Sequence, residues 1–459
     1  MKIDTGTTAW MLAATALVLL MTPGLAFFYG GMARAKSVLN MMMMSFVSIV
    51  TVSIIWVFYG YSIAFSTNGH SGLNNFIGGL SDWGLKSTAT SVYEGLITSG
   101  PTAITDNMPE LVFSAFQLTF AVITVALISG AIADRAKFGA WVVFTVAWAT
   151  LVYFPVAHWV WGGGWLFTKG IEDFAGGTVV HVNSGAAALA LALVLGKRRG
   201  WPKEPMRPNN MPFVLLGAGL LWFGWFGFNA GSELAVDGTT ALAFMNTQVA
   251  TAAAAGAWLV VEKLRDGHAT TLGVASGAVA GLVAITPACG FVDTWVAVLL
   301  GVVAGAICAY AVGLKYKLGF DDSLDVVGVH LVGGLVGAVS LGFIAAYPFL
   351  PQQHKGLFYG GGLQQLGWQT VAPLTVGLYS FVVAFVLGKI IDKVIGFRVD
   401  PEDEVNGIDV STHAESAYDL GPSGMGIGGG TGTVRESAAS SGSGSAGSAG
   451  SAATKKVEA

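Results

Sequence analysis

Apolar residues run along this chain in long unbroken stretches rather than in alternation. Eleven stretches lack any charged residue: 8–31, 38–65, 111–133, 138–160, 176–195, 212–231, 239–261, 270–287, 294–314, 326–347 and 371–388. About 17–25 apolar residues as a helix cross the ~30 Å hydrocarbon core of a bilayer. Barrel strands would instead alternate over roughly 10 residues at a time. The pattern predicts an all-α integral membrane protein with eleven transmembrane helices. The first stretch is too long for the apolar core of a signal peptide, and only Lys2 precedes it as a basic residue. It therefore reads as helix 1 of the mature protein.

Basic residues between the stretches set the expected orientation. With the N-terminus outside, the inner loops hold Arg34, Lys36, Arg135, Lys137, Lys197, Arg198, Arg199, Lys203, Arg207, Lys263, Arg265, Lys315 and Lys317. The C-terminal segment adds Lys389, Lys393, Arg398, Arg435, Lys455 and Lys456, for 19 of the 23 Lys and Arg; Lys2, Lys86, Lys169 and Lys355 remain outside. This split predicts N-out, C-in and an odd number of spans. Residues 1–396 form the transmembrane domain in this reading. Residues 397–420 are charged but keep Ile408, Val410 and Tyr418, and read as an ordered segment against the cytoplasmic face. Residues 421–459 are rich in Gly, Ser and Ala and read as a disordered tail. The loop 66–110 is long, polar and outside, with no legible chemistry.

Composition narrows the class further. Only 11% of the 459 residues are charged, against 53% hydrophobic. Soluble chains carry about 25% charged residues, so a soluble multidomain enzyme and a disordered regulator are excluded. The 64 Gly fit tightly packed membrane helices. A net charge of −4 excludes a generally basic nucleic-acid binder. The two cysteines, Cys289 and Cys308, exclude a disulfide scaffold and a Cys-rich metal site.

One short string occurs twice. Span 5 opens Asp173-Phe-Ala-Gly-Gly-Thr-Val-Val-His181, and span 10 opens Asp322-Ser-Leu-Asp325-Val-Val-Gly-Val-His330, each with Asp eight residues before His. One span is odd and the other even, so they run in opposite directions. Eight helical residues rise ~12 Å, which brings both histidines toward the bilayer middle. This predicts an inverted repeat of helices 1–5 and 6–10, with helix 11 outside it.

Ionisable residues inside spans are costly and are functional candidates by default. His181 and His330 either bond a neighbouring helix or serve a pore, and their matched positions favour the pore. A metal site would need more ligands than these spans hold, and nothing calls for a cofactor. Asp173, beside Gly176 and Gly177, is a helix cap, an electrostatic support, or both. Phe116 and Phe120 share a helix face. Trp161 follows span 4, and Trp225, Phe228 and Ser232 close span 6, all near the outside. Each Trp alone reads as interfacial belt. Together they read as a small cation site, since an aromatic face attracts a cation by ~0.5–2 kcal/mol and a hydroxyl accepts its hydrogen bond.

These strings resemble the ammonium transporter (Amt/Mep/Rh) superfamily, its bacterial Amt branch above all. The resemblance rests on Phe116-Gln-Leu-Thr-Phe120, His158-Trp-Val-Trp161-Gly-Gly-Gly, the two Asp-to-His strings, Gly224-Trp-Phe-Gly-Phe228-Asn-Ala-Gly-Ser232 and the ending from Gly396 to His413. It covers about residues 8–420 and implies a homotrimer in the cell membrane with one pore per subunit. It implies that Trp161, Ser232 and Phe120 recruit ammonium, that Phe120 and Phe228 are stacked gate rings, and that His181 and His330 pair in the pore. Asp173 is then the supporting acid, with Phe116 and Trp225 beside the site. The expected function is a transporter rather than an enzyme, which recruits ammonium, deprotonates it and conducts ammonia, the proton either following by a separate transfer or staying behind. A PII-type signal protein is an implied partner at the cytoplasmic face. The alternative is an ammonium sensor signalling through its tail. A membrane enzyme with a His–Asp pair is disfavoured, because no nucleophile motif is present.

Overall fold

The computed structural model of the chain describes residues 3–86, 108–204, 206–347 and 350–418. Each of the eleven apolar stretches is helical. In chain order they are α1 (Thr5–Met32), α2 (Val38–Phe65), α3 (Glu110–Ile132), α4 (Phe138–Val160), α5 (Gly177–Leu195), α6 (Met211–Gly231), α7 (Gly238–Asp266), α8 (Thr271–Ile285), α9 (Thr294–Leu318), α10 (Val327–Ile344) and α11 (Leu363–Ile395). Ten are long and apolar enough to cross a membrane, and α8 has 15 residues. Pro287, two residues past α8, has no N–H with which to continue the ladder. Among the described residues no strand forms; Ala136 and Arg398 make an isolated bridge.

Several helices outrun their apolar stretches. α7 continues through Glu262, Lys263, Arg265 and Asp266, and α11 extends the 371–388 stretch to 33 residues. A charge ends an apolar run without ending the i→i−4 ladder, because Lys, Arg, Glu and Gln are good helix formers. At the start of α11, buried Gln365 and Gln369 stay helical by bonding outward, to the carbonyls of Gly170 and Glu172. Leu12, Phe46, Val50, Leu299, Leu378 and Val382 lie exposed on the outer helix surfaces. A belt of this kind is what a bilayer solvates.

The described residues up to Ala417 form one compact unit. The first helices of the two halves, α1 and α6, pack against each other along an extended seam. A Cβ at Gly217 would stand 2.6 Å from the Gly24 carbonyl, so only glycine fits this crossing. At one end of the bundle buried charges tie the loops together. Arg198 bonds both carboxylate oxygens of Asp321, each at 2.9 Å, and reaches Asp134 at 3.2 Å. Arg34 meets the same Asp134, and Arg135 donates to the Asp321 carbonyl at 2.6 Å.

The segment after α11 joins this network. Arg398 pairs with Glu404 at 2.7 Å, and the Glu404 carboxylate also accepts the Arg199 N–H. Asp409 accepts the N–H groups of Leu39 and Asn40 and so caps the start of α2. Ser37, the residue just before the helix, makes no side-chain cap bond itself. The tail 421–459 and residues 87–107 of the loop read between 66 and 110 lie outside the described residues. The first part of that loop is built in: the carbonyls of Asn74 and Phe76 accept from His158 and Trp159 near the end of α4.

Candidate functional site

At the opposite end of the bundle, α3, the turn after α4 and the end of α6 enclose a cavity of about 240 Å³. Phe116 and Phe120 lie on one face of α3 with ring centroids 4.8 Å apart. Phe120, Trp161, Ser232, Gln117, Asp173 and Glu233 line the space. Trp161 stands edge-on to Phe120, with centroids 6.1 Å apart and planes at 86°. Its indole Nε1 donates to the Asp173 carbonyl at 2.9 Å, which fixes the ring. Ser232 Oγ donates its proton to the Phe228 carbonyl at 2.8 Å. The hydroxyl lone pairs therefore remain to accept from a cation in the cavity.

Phe120 and Phe228 close the floor of the cavity, stacked with centroids 4.1 Å apart and planes at 27°. Phe120 lines the cavity above; Phe228 lines a second, narrow void of about 10 Å³ below, walled by Met21, Leu25, Phe28, Ile123 and Leu127. That is about the least volume that holds one water molecule. A hydrated ion does not fit.

His181 and His330 are the polar groups of this lumen. Their Nδ1 atoms lie 3.2 Å apart and their rings are inclined by 25°. His181 also stacks on Trp225, with centroids 5.4 Å apart. Trp225 is held by its own Nε1–H bond to Thr286 Oγ1 at 2.9 Å. His181 Nε2 is buried with no protein partner, so a hydrogen bond at this atom waits on whatever enters the lumen.

The two aspartates act as caps. Asp173 accepts the N–H groups of Gly176, Gly177, Thr178 and Val179. Asp322 likewise accepts those of Val326 and Val327. Each histidine then sits in a π-helical first turn, Gly177–Val182 or Val327–Leu331. This corrects the expected depth. Asp173 and the residues up to Gly176 precede the helix, so eight residues from Asp to His do not make a ~12 Å helical rise. The wide π turn, a frequent companion of functional sites, turns the imidazoles inward instead.

Sequence reading missed two glycines. A Cβ at Gly185 would fall 2.7 Å from Leu331 Cα, and one at Gly334 would fall 3.0 Å from the Gly177 carbonyl. Each stands four residues after its histidine, His181 or His330, on the same helix face. Their bare backbones let α5 and α10 cross closely enough for the rings to meet. The matched spacing was present in the repeat and would have revealed them. Glu233 and Gln117 were also missed, since a single polar residue beside a motif carries no periodic signal.

The charges near the cavity are unequal in their partners. Glu172 pairs with His354 at 2.8 Å. Burial pushes the Glu172 carboxyl up, and the Glu172 hydrogen bond raises the His354 imidazole. Burial first, and then the neighbouring Asp237 carboxylate, push the Glu233 carboxyl up to about 8.

Known proteins carry the same arrangement of helices. The family model described as Ammonium Transporter Family matches residues 9–418. An ammonium transporter of Mycobacterium tuberculosis is 56% identical over 438 residues, 91% of each chain. One of Bacillus subtilis is 46% identical over 415 residues, 90% of this chain and 98% of that one. The crystal structure of Candida albicans Mep2 superposes with a TM-score of 0.78 at 34% identity, covering 88% of each chain. By sequence over nearly its whole length and by the fold of its apolar helices, this multi-pass membrane protein belongs to the ammonium transporter family.

Proposed function

We propose that the chain takes up ammonium at the Trp161, Phe120 and Ser232 cavity and conducts ammonia past the Phe120–Phe228 stack to His181 and His330. The proton leaves the substrate before the stack. The observation that carries this reading is the step in size and polarity at the stack, from a cavity of about 240 Å³ with acidic residues to an apolar lumen of about 10 Å³.

Magnitudes favour deprotonation. Moving an ammonium-sized ion into a medium like hydrocarbon costs of order 20 kcal/mol by the Born estimate, and several kcal/mol after relaxation. One or two cation–π contacts return ~0.5–2 kcal/mol each. With a Lys amine of pKa about 10.4 as proxy, removing the proton at pH 7 costs roughly 5 kcal/mol. Neutral ammonia then crosses the apolar lumen with far less desolvation. His181 Nε2 offers it a hydrogen-bond partner, and the paired rings give the proton a separate route.

The charge distribution of the loops supports insertion in the cell membrane with the N-terminus outside and the C-terminus in the cytoplasm. The family supports a homotrimer with a pore in each subunit. The docked segment 397–413 lies at the cytoplasmic end in that orientation, where a PII-type protein would bind. Purified protein in lipid vesicles tests the reading: saturable uptake of methylammonium above that of empty vesicles is expected. Uptake equal to empty vesicles would overturn it.

A further inference from the structure

Glu233 follows Ser232 in the turn between α6 and α7, half-buried, with its side chain on the recruitment cavity. Three carboxyl groups line that cavity: Glu172, Asp173 and Glu233. The oxygens of Asp173 are taken by four backbone N–H groups. Glu172 has its cation in His354. Glu233 instead faces Asp237, which is itself committed to the N–H groups of Thr239 and Thr240 at the start of α7. Cys289 lies nearby as a buried thiol and brings no charge. Among the described residues, then, Glu233 is the lining carboxyl with neither a basic partner nor a helix start to neutralise it.

We propose that Glu233 is a specificity-determining residue of the recruitment site, whose carboxylate attracts the ammonium ion and whose protonated form does not. This rests on the reading of the Trp161, Phe120 and Ser232 cavity as that site. Aromatic faces and a hydroxyl favour a cation but carry no net charge. A carboxylate on the wall of the same cavity adds the long-range term and raises the local cation concentration there. The surroundings make this charge conditional. Burial and the Asp237 carboxylate keep the proton on Glu233 up to about pH 8. A cation entering the cavity favours the ionised form, so substrate binding and proton release from Glu233 are coupled in both directions. Recruitment therefore strengthens as pH rises through this region, while the cation itself is still protonated.

Methylammonium uptake into vesicles tests this, because its amine, like a Lys amine of pKa about 10.4, stays protonated from about pH 6.5 to about pH 9. Half-saturating concentrations would be measured for the wild type, Glu233→Gln, Glu233→Asp and Trp161→Ala. Glu233→Gln is expected to raise the value roughly three- to tenfold at about pH 9, by the scale of a screened charge at short range, and by much less at about pH 6.5. Glu233→Asp is expected to keep the wild-type dependence on pH. If Trp161→Ala weakens uptake while Glu233→Gln matches the wild type at both pH values, the role of Glu233 is overturned and the cavity reading stands. If Trp161→Ala also matches the wild type, the cavity reading itself falls. Should Glu233→Gln fail to insert, a half-saturating concentration of the wild type that is flat across this pH range overturns the proposal.

Discussion

His181 and His330 meet Nδ1 to Nδ1 at 3.2 Å although their helices start from opposite ends of the bundle. One ring must donate and the other accept. Both cannot be charged at this distance without strong repulsion, so the pair titrates as a unit and holds at most one excess proton. The contact exists because Gly185 and Gly334 let the two helices cross. Gly334→Val should therefore push α10 away from Val182 and the Gly177 carbonyl. Overpacking of this kind costs typically 1–3 kcal/mol. The expected result is a protein that still inserts but has lost most of its uptake; wild-type uptake by correctly inserted Gly334→Val would show that the close crossing is dispensable.

In the proposed function Trp161 meets ammonium with its ring face. Trp161→Ala should weaken apparent affinity for ammonium by roughly 0.5–2 kcal/mol, the scale of one cation–π contact, and should reduce discrimination against other cations. Competition between methylammonium and potassium in vesicle uptake reads both quantities. Unchanged concentration dependence together with unchanged discrimination would remove Trp161 from the site.

The charge network at the far end predicts a pH-dependent stability. Burial alone would raise the Asp321 carboxyl, but the Arg198 guanidinium overrides it and holds the group below its usual range. Its contribution is therefore present above the unfolded carboxyl value of about 3.9 and is lost as pH falls through the lower folded value. Asp321→Asn removes one of the two carboxylates that hold the buried Arg198, leaving it Asp134 alone, and should cost up to roughly 3–5 kcal/mol at neutral pH. Thermal unfolding in detergent should show a lowered Tm at pH 7 and a smaller gap from wild type in acid. Equal Tm values at neutral pH would show that the buried pair is not holding these loops.

The docked C-terminal segment predicts a difference between two truncations. Removing 421–459 leaves the Arg398–Glu404 pair and the Asp409 cap of α2 in place. Removing the chain from Phe397 onward deletes both, and loss of a cap alone costs ~0.5–2 kcal/mol. The shorter protein should lose activity or its regulation and the longer one should not. Equal uptake by both, with equal response to a PII-type protein, would contradict a role for the segment.

Much of this architecture is legible in the sequence because the bilayer imposes one rule on every helix. An uncharged run of twenty residues has few alternatives to a spanning helix, so the stretch 138–160 coincides with α4 residue for residue. Polar helix ends follow no such rule, and α11 outran its stretch by a turn or more at both ends. The repeated Asp-to-His string marked the two histidines. It also offered Asp173 as a cap, which the four backbone N–H groups on its carboxylate bear out; it did not reveal the π-helical turn that follows, because a wide turn and an α turn look alike in a string. The bonds that fix the site are invisible for another reason. Trp161 to the Asp173 carbonyl and Trp225 to Thr286 join residues through geometry alone, the second across a long separation in the chain.

In the proposed function the histidine pair handles substrate and proton separately in the lumen. Current and methylammonium uptake recorded side by side in vesicles decide this, comparing the wild type with the double variant His181→Leu, His330→Leu. The double variant is expected to insert normally, to lose its current because no imidazole remains to relay the proton, and to lose net uptake with it. Wild-type current together with wild-type uptake in the double variant would rule out the relay and leave the two histidines as packing residues.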